Sequence, residues 1–131
     1  MGVTYLLDTH VFLWLMGEPE RVPAPIRSEL AESGTEILVS AASAMEVATK
    51  VRLGRLEPAR HLVDTWLARV HDLRARELAV STPHALLAGS LTWAHRDPFD
   101  RLLVAQALIG NVALVTSDPA MSTVAGLRVR W

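Results

Sequence analysis

The sequence predicts an α/β fold: one domain with a central, mostly parallel sheet of about five strands and helices on both faces. Short apolar runs of strand length alternate with longer segments of helical apolar spacing. The 131 residues are the usual length of one domain, and half of them are hydrophobic. No repeat, low-complexity tract or linker divides the chain, so residues 1–131 are expected to form a single domain.

The first half of the chain is predicted to form two strands and three helices. Residues Val3 to Leu7 (VTYLL) are too short and too apolar for an amphipathic helix, and they indicate a buried central strand. A segment with three prolines, Gly17 to Pro25, separates the first helix from the second. The other elements are a helix from His10 to Met16, a helix from Ile26 to Glu32 that ends at Gly34, a strand from Glu36 to Val39, and a helix from Ala44 to Leu53 that ends at Gly54.

The second half is predicted to add three helices and three strands. A helix from Ala59 to Leu73 is indicated by apolar residues on one stripe: Leu62, Trp66, Val70 and Leu73. Two further helices begin where a capping residue, Thr82 or Asp97, precedes a proline. The elements in order are a strand from Leu78 to Val80, helices from Pro83 to Leu91 and from Pro98 to Ile109, a strand from Val112 to Thr116, and an edge strand from Leu127 to Trp131, where apolar residues alternate with arginine.

Composition excludes several classes of function. The formal charge of −1 leaves no overall basic field for nucleic acid or an anionic membrane. The absence of cysteine excludes disulfides, thiolate catalysis and Cys-ligated zinc, and the five histidines have no metal-ligand spacing. The opening MGVTYLLD lacks the features of a signal peptide, and the longest apolar stretch, Val11 to Met16, is too short to span a bilayer. A cytoplasmic protein without membrane contact is therefore expected.

Four acidic residues stand out by their place relative to the predicted strands. Asp8 directly follows the first strand, Glu46 lies in the helix after the second, and Asp118 follows the fourth. Because the carboxyl ends of parallel strands share one edge of the sheet, these three are expected to be close together. Asp100 opens the helix before the fourth strand, and the sequence pattern gives only a weak argument for placing it near the other three acids.

Each acid also has a purely structural interpretation, as a residue that caps a helix. These interpretations are a capping box formed by Ser43 and Glu46, N-caps at Asp97 and Asp118 before their prolines, a cap of the first helix by Asp8 or Thr9, and an exposed ion pair of Asp97 with Arg101.

Taken together, the acids favour a metal site. Four carboxylates in one cleft repel one another and are costly to desolvate unless a cation neutralises them. Mg²⁺ or Mn²⁺ takes carboxylate oxygens together with water and substrate phosphate. The pattern therefore suggests metal-assisted hydrolysis of a phosphodiester.

The motifs that carry these acids resemble the PIN domain, specifically the VapC toxin ribonucleases of bacterial toxin–antitoxin pairs. Four segments appear in the family's order: Tyr5 to Met16 (YLLDTHVFLWLM), Val39 to Leu56 (VSAASAMEVATKVRLGRL), Asp97 to Ala107 (DPFDRLLVAQA) and Leu114 to Asp118 (LVTSD). Four motifs in order across most of the chain are far more specific than any one of them.

The resemblance implies that Asp8, Glu46, Asp100 and Asp118 are the catalytic quartet that binds Mg²⁺ or Mn²⁺ and activates water. Asp97 is then an auxiliary acid. By the same resemblance Asp8 is a direct ligand, Asp100 and Asp118 bind directly or through water, and Glu46 ligates the metal or orients the nucleophile. The hydroxyls of Thr9 and Thr116 stand beside the acids and are expected to bind a carboxylate, water or phosphate, or to make local turn bonds.

Partners are also implied by the resemblance. It implies a homodimer that cleaves structured RNA, often tRNA or rRNA, and a VapB-like antitoxin that silences the enzyme. The sequence adds basic residues close to the acids as candidate phosphate contacts, although solvated surface is the simpler interpretation of them: Lys50, Arg52, Arg55 and Arg96.

Two aromatic residues and one apolar run have open interpretations. Trp93 and Phe99 lie near the acids, where they either stack on RNA bases or pack in the core, and core packing is favoured. Trp14 belongs either to the core or to a dimer face.

The main alternative function is a non-catalytic PIN-like module that binds RNA or protein and whose acids cap helices. A receiver domain requires a lysine after a late strand, whereas the only lysine is Lys50. An aspartate-nucleophile phosphatase requires a second aspartate two residues after Asp8, and His10 stands there.

Overall fold

Five strands pair in parallel to form one sheet in the computed structural model, which describes residues 2–131 and leaves Met1 outside. The order across the sheet is β3-β2-β1-β4-β5, so the first strand is central and the last lies at an edge, as predicted. The strands are β1 (Thr4–Leu7), β2 (Glu36–Ser40), β3 (Arg76–Leu78), β4 (Ala113–Val115) and β5 (Val129–Arg130).

Seven α-helices connect and cover these strands, together with short 3₁₀ turns at Pro19–Arg21, Glu57–Ala59 and Pro119–Thr123. No helix within residues 2–131 has the length and hydropathy needed to cross a bilayer. The helices are α1 (Thr9–Gly17), α2 (Ala24–Ala31), α3 (Ala41–Arg52), α4 (Arg60–Asp64), α5 (Trp66–Asp72), α6 (Thr82–Ser90) and α7 (Pro98–Gly110).

The sheet has a hydrophobic cluster on each face. Tyr5 and Leu7 point to one face and Leu6 to the other, because successive side chains of a strand alternate. The Tyr5 face is covered by α1 to α5, and Phe12 is fully buried there. The opposite face is covered by α7 through Leu103, with α6 packed against α7. Helices on both faces confirm the predicted fold class.

The predicted helix from Ala59 to Leu73 is interrupted. It divides into α4 and α5 at Thr65, whose backbone leaves the helical region and whose Oγ1 donates to the carbonyl of His61 at 3.0 Å. Such a bond from a threonine hydroxyl to the carbonyl four residues earlier tends to bend a helix. Leu62 and Val70 of the predicted stripe are nevertheless both buried.

Several elements start one to three residues away from their predicted positions. Ser81 caps α6 rather than Thr82, and the bond between the Ser81 amide and His84 Nδ1 completes a capping box there. The second helix starts at Ala24, so one of the prolines of the predicted break lies inside its first turn. The third strand lies at Arg76–Leu78 instead of Leu78 to Val80, at an edge of the sheet where polar residues are tolerated.

Candidate active site

The central strands β1 and β4 end side by side, and acidic residues follow both. In open parallel sheets, ligands bind in the crevice at the carboxyl ends of the strands where the strand order reverses, which here lies between β1 and β4. Asp8 directly follows β1, and Asp118 lies three residues after β4. The backbone N–H of Asp8 donates to the carbonyl of Val115 at 2.9 Å, so the first acid is held against the end of β4.

Asp8 is a buried carboxylate, with 5% of the residue exposed. Its Oδ2 accepts a 2.7 Å hydrogen bond from Thr116 Oγ1. Burial raises the pKa of Asp8 above its ordinary value, and the bond from Thr116 opposes that rise. Although Asp8 occupies the N-cap position of α1, its side chain makes no capping hydrogen bond, so the capping interpretation of Asp8 is wrong.

The two predicted hydroxyl residues connect separate elements of the site. Thr116 donates to Asp8, and its Oγ1 also accepts a 3.0 Å hydrogen bond from the backbone N–H of Asp118. Thr9 Oγ1 donates to Ser43 Oγ at 2.9 Å, which joins α1 to α3 rather than capping α1. Both threonines are buried.

Glu46 lies in the second turn of α3, and only 2% of it is exposed. The predicted capping box is wrong, because the helix begins three residues earlier, where the Ser40 hydroxyl accepts from the N–H of Ala42. Glu46 Oε2 accepts a 2.6 Å hydrogen bond from Lys50 Nζ. Glu46 Oε1 is buried without a hydrogen-bond partner among the described residues.

Asp97 and Asp100 have different roles at the start of α7. Asp97 Oδ1 accepts from the backbone N–H groups of Phe99 (2.8 Å) and Asp100 (3.2 Å), which confirms the predicted N-cap. The predicted ion pair of Asp97 with Arg101 does not form, since the Arg101 guanidinium instead bonds to backbone carbonyls.

Asp100 is a partly buried carboxylate whose side chain is 16% exposed. Its Oδ2 lies 2.7 Å from His95 Nε2. The pKa of Asp100 is raised to about 6, chiefly by burial and also by the charges of Asp97, Asp8 and Glu46, and the bond with His95 opposes this rise.

Asp118 completes the set of predicted acids, and its carboxylate has two neighbours. Its Oδ1 accepts from the N–H of Ala120 at 3.0 Å and caps the turn after β4, as predicted. One ligand atom from each of His95, Asp100 and Asp118 lies within 4.8 Å of the other two. His95, whose Nε2 lies beside Asp100 Oδ2, is the third member of this cluster.

The donor set fits a hard divalent cation. Asp100 lies close to Asp118 and within the electrostatic influence of Asp8 and Glu46, which are not members of the close cluster of His95, Asp100 and Asp118. A buried carboxylate oxygen without a partner, such as Glu46 Oε1, is costly unless an ion or a water satisfies it. Carboxylate oxygens are the ligands that Mg²⁺ and Mn²⁺ prefer.

The residues predicted to contact phosphate or bases differ in their environments. The ammonium group of Lys50 is engaged with Glu46, whereas Arg52, Arg55 and Arg96 are exposed. Among the aromatic residues, Trp93 and Phe99 are half-buried, and Trp14 is half-buried against the core cluster under α1.

The contacts of two polar side chains near the crevice were not predicted, since Arg101 was expected to pair with Asp97 and Gln106 was given no role. Arg101 binds the loop that carries His95, and the buried Gln106 accepts from Ser40 Oγ at 2.6 Å. The only signal for either one is a polar residue within the otherwise apolar helix α7.

The chain matches one family model and one curated relative over most of its length. The PIN domain model matches residues 5–127. Ribonuclease VapC22 of Mycobacterium tuberculosis is 32% identical over 116 residues, which cover 88% of this chain and 87% of that protein.

Solved structures share the fold at lower identity. VapBC2 from Rickettsia felis, bound to a DNA fragment from its promoter, is similar with a TM-score of 0.70, 18% identity and 98% of each chain covered. FitAcB from Neisseria gonorrhoeae is similar with a TM-score of 0.68, 22% identity and 95% of each chain covered.

Proposed function

The chain belongs to the PIN domain family, to its VapC type, and on that premise we propose that it is a metal-dependent endoribonuclease that acts as the toxin of a toxin–antitoxin pair. Its proposed substrates are structured RNAs, tRNA or rRNA. The relative at 32% identity is a ribonuclease by name, which supports the activity itself.

The observation that carries this proposal is the buried, unpartnered Oε1 of Glu46 in a crevice where Asp8 and Asp100 both have raised pKa values. An unpaired oxygen and two carboxylates that ionise with difficulty are all stabilised by a nearby cation. A role in helix capping alone does not explain a buried carboxylate oxygen without a hydrogen-bond partner.

The side chains have distinct roles in the proposed reaction. Asp8 would hold Mg²⁺ or Mn²⁺ directly, Asp100 and Asp118 would hold it directly or through water, and Glu46 would hold the ion or orient the attacking water. Asp97 remains the cap of α7 and adds negative charge beside Asp100. The chemistry that such an ion supplies is activation of water at neutral pH and stabilisation of charge on the phosphate oxygens.

The exposed basic residues are proposed to bind the RNA backbone beside the acids. Arg52 and Arg55 lie at and just beyond the end of α3, and Arg96 precedes Asp97. Because the chain is nearly neutral overall, such local contacts are its means of attracting a polyanion. Lys50 can join them only by leaving Glu46, from which its Nζ is 2.6 Å away.

An apolar groove beside the crevice is proposed as the binding site of a VapB-like antitoxin. The groove has a volume of about 580 Å³. Glu18, Arg21 and Arg69 also line it, so the groove offers charged groups beside its apolar wall. Several similar structures are toxin–antitoxin complexes, which supports a partner of this kind. The groove is lined by His10, Leu13, Trp14, Met16, Leu62 and Arg69, among others.

Cleavage of RNA tests the proposed function. Purified protein without antitoxin is incubated with end-labelled total bacterial RNA and with Mg²⁺, Mn²⁺ or EDTA. We expect discrete cuts that need the metal and that disappear in Asp8→Asn. The matched control is Asp64→Asn, an exposed acid on α4, which should cleave normally. Equal cleavage by Asp8→Asn contradicts the assignment.

The alternative function, a non-catalytic module, is favoured only by the capping bonds of Asp97 and Asp118. A thermal shift with Mn²⁺ separates the two functions, because a convergent site stabilises the fold by mass action whereas scattered caps do not.

We also propose a homodimer in the cytoplasm. Light scattering on the eluting protein measures the oligomeric state, and a monomer at micromolar concentration contradicts the dimer.

A further inference from the structure

The guanidinium of Arg101 donates hydrogen bonds to four backbone carbonyls of a single stretch of chain. Its Nε donates to Ala88 (2.8 Å) and its Nη2 to Leu91 (2.7 Å). Its Nη1 donates to Trp93 (2.8 Å) and to His95 (2.9 Å). Arg101 therefore fixes the whole segment that leads from the last turns of α6 to His95.

The segment between α6 and α7 has neither helix nor strand of its own, so its shape depends on such contacts. Its end presents the His95 ring, which is stacked on Trp93 with centroids 4.7 Å apart and planes 26° apart. Trp93 Nε1 in turn donates to Thr123 Oγ1 at 3.1 Å. Arg101 holds the backbone of His95, and Trp93 stacks on its ring.

The fixed imidazole touches the acid that directly precedes Arg101 in the sequence. His95 Nε2 lies 2.7 Å from Asp100 Oδ2. The contacts thus form a closed path from the Arg101 guanidinium through the His95 backbone and ring to the Asp100 carboxylate. That carboxylate has an oxygen within 4.8 Å of an Asp118 oxygen.

We propose that Arg101 is a positioning residue for the metal site: it fixes the loop so that His95 holds the Asp100 carboxylate in the orientation that faces Asp118. This inference rests on the proposed function, since it assumes that Asp100 binds a cation. Outer residues that orient a ligand typically change metal affinity by about 10- to 100-fold when they are replaced.

The chemistry of arginine suits this role, and lysine does not replace it. A guanidinium offers five N–H donors in a rigid planar fork, and Arg101 uses Nε, Nη1 and Nη2 together. A lysine has three donors on one atom, and that atom cannot reach carbonyls on both sides of the loop. Arg101→Lys keeps the positive charge and removes the planar set of N–H donors.

A purely structural role for Arg101 is the competing explanation. The carbonyls of Ala88 and Leu91 belong to the end of α6, where unpaired carbonyls are commonly satisfied by basic side chains. The bonds to Trp93 and His95 lie beyond that helix end. The test must therefore ask whether Arg101 acts on the site through His95.

The experiment measures Mn²⁺ affinity, by electron paramagnetic resonance, in the wild type, Arg101→Lys, His95→Ala and the double variant. We expect each single variant to weaken Mn²⁺ binding by about 10-fold. The double variant should bind as the weaker single variant does, because both changes interrupt one path. Additive losses, or normal affinity in folded Arg101→Lys, overturn the inference.

The matched control is Arg128→Lys. Arg128 also donates from its guanidinium to a backbone carbonyl, that of Asn111, at the opposite end of α7. We expect the wild-type Mn²⁺ affinity in this variant, and an equal loss there contradicts a specific role for Arg101. A wild-type protein without Mn²⁺ affinity overturns the proposed function and this inference together, whereas a failure confined to Arg101→Lys overturns the inference alone.

If Arg101→Lys does not fold, Ala94→Gly tests the same path. Ala94 is exposed and lies between Trp93 and His95, so glycine loosens the loop without removing a contact. We expect Mn²⁺ affinity to fall by about 2- to 5-fold, because the loosened loop holds His95 less closely against Asp100. Unchanged affinity in Ala94→Gly also overturns the inference.

Discussion

Thr116 Oγ1 donates a 2.7 Å hydrogen bond to Asp8 Oδ2 and accepts one from the Asp118 N–H at 3.0 Å. A single hydroxyl thus joins the acid after β1 to the acid after β4, two residues 110 positions apart in sequence. The bond fixes the Asp8 carboxylate beside the end of β4.

Replacing Thr116 with valine should weaken both the fold and the site. The variant leaves a buried carboxylate and a backbone N–H without their partner, so we expect the free energy of unfolding to fall by about 1 to 3 kcal/mol. Mn²⁺ affinity should fall by about 10-fold, since Asp8 loses its orienting bond. Thr116→Ser keeps the hydroxyl and is the matched control. Denaturant unfolding and Mn²⁺ titration measure the two effects, and equal values in Thr116→Val and Thr116→Ser contradict the role of the bond.

The raised pKa of Asp100 predicts how stability without metal depends on pH. The folded state binds the Asp100 proton more tightly than the unfolded state does, because the pKa is about 6 when folded and about 3.9 when unfolded. The stabilising effect of protonation is therefore fully present below about pH 4 and is lost as the pH rises through about 6. The shift corresponds to about 2 to 3 kcal/mol.

Asp100→Asn should abolish this part of the pH dependence, because the amide does not ionise and can still form a hydrogen bond with His95. We expect the variant to be more stable than the wild type at pH 7 in EDTA and to lose most of its stabilisation by Mn²⁺. Thermal unfolding at pH 5 and pH 7, with and without Mn²⁺, measures both effects. A pH profile of Asp100→Asn identical to that of the wild type contradicts the assignment of the raised pKa to Asp100.

The features that the sequence predicted correctly are local ones. A short apolar run identifies β1, and an acid that follows a strand must lie at its carboxyl end, so Asp8 and Asp118 could be assigned to the crevice. Asp97 followed by proline is also a local signal, and it does cap α7. Such patterns depend on neighbours in the chain and not on tertiary contacts.

The features that were missed depend on tertiary contacts or on small shifts of helix ends. Ser40 and Ser43 are both acceptable caps, and the choice between them decides whether Glu46 folds back on the helix end or lies buried in its second turn. The position of His95 beside Asp100 depends on hydrogen bonds from Arg101 to the backbone carbonyls of an irregular loop. No periodicity in the sequence encodes that loop.

Gln106 should be important for the stability of the fold around α3. It is 1% exposed, accepts from the Ser40 hydroxyl at 2.6 Å, and donates through Nε2 to the Ala79 carbonyl at 3.2 Å. Gln106→Leu leaves the buried Ser40 hydroxyl without its acceptor and the Ala79 carbonyl without this donor, so we expect the free energy of unfolding to fall by about 1 to 3 kcal/mol. The control is Leu102→Met on the same helix, a volume-conserving change at a half-buried position. Denaturant unfolding should separate the two variants, and equal stabilities argue against the Gln106 network.

The ion pair of Lys50 with Glu46 predicts a variant that depends on metal for its stability. Lys50→Met removes the charged partner of the buried Glu46 carboxylate, whose Oε1 has no hydrogen-bond partner among the described residues. The Lys50 side chain is 36% exposed. Because solvent partly screens the pair, we expect a loss of roughly 1 to 2 kcal/mol in EDTA, less than for a fully buried pair. Saturating Mn²⁺ should recover most of the loss by neutralising Glu46 in place of the ammonium group. Lys50→Arg, which keeps the charge, should behave as the wild type in EDTA. Thermal unfolding with and without Mn²⁺ measures the difference, and a Lys50→Met protein that Mn²⁺ stabilises no more than the wild type shows that Glu46 is not part of the metal site.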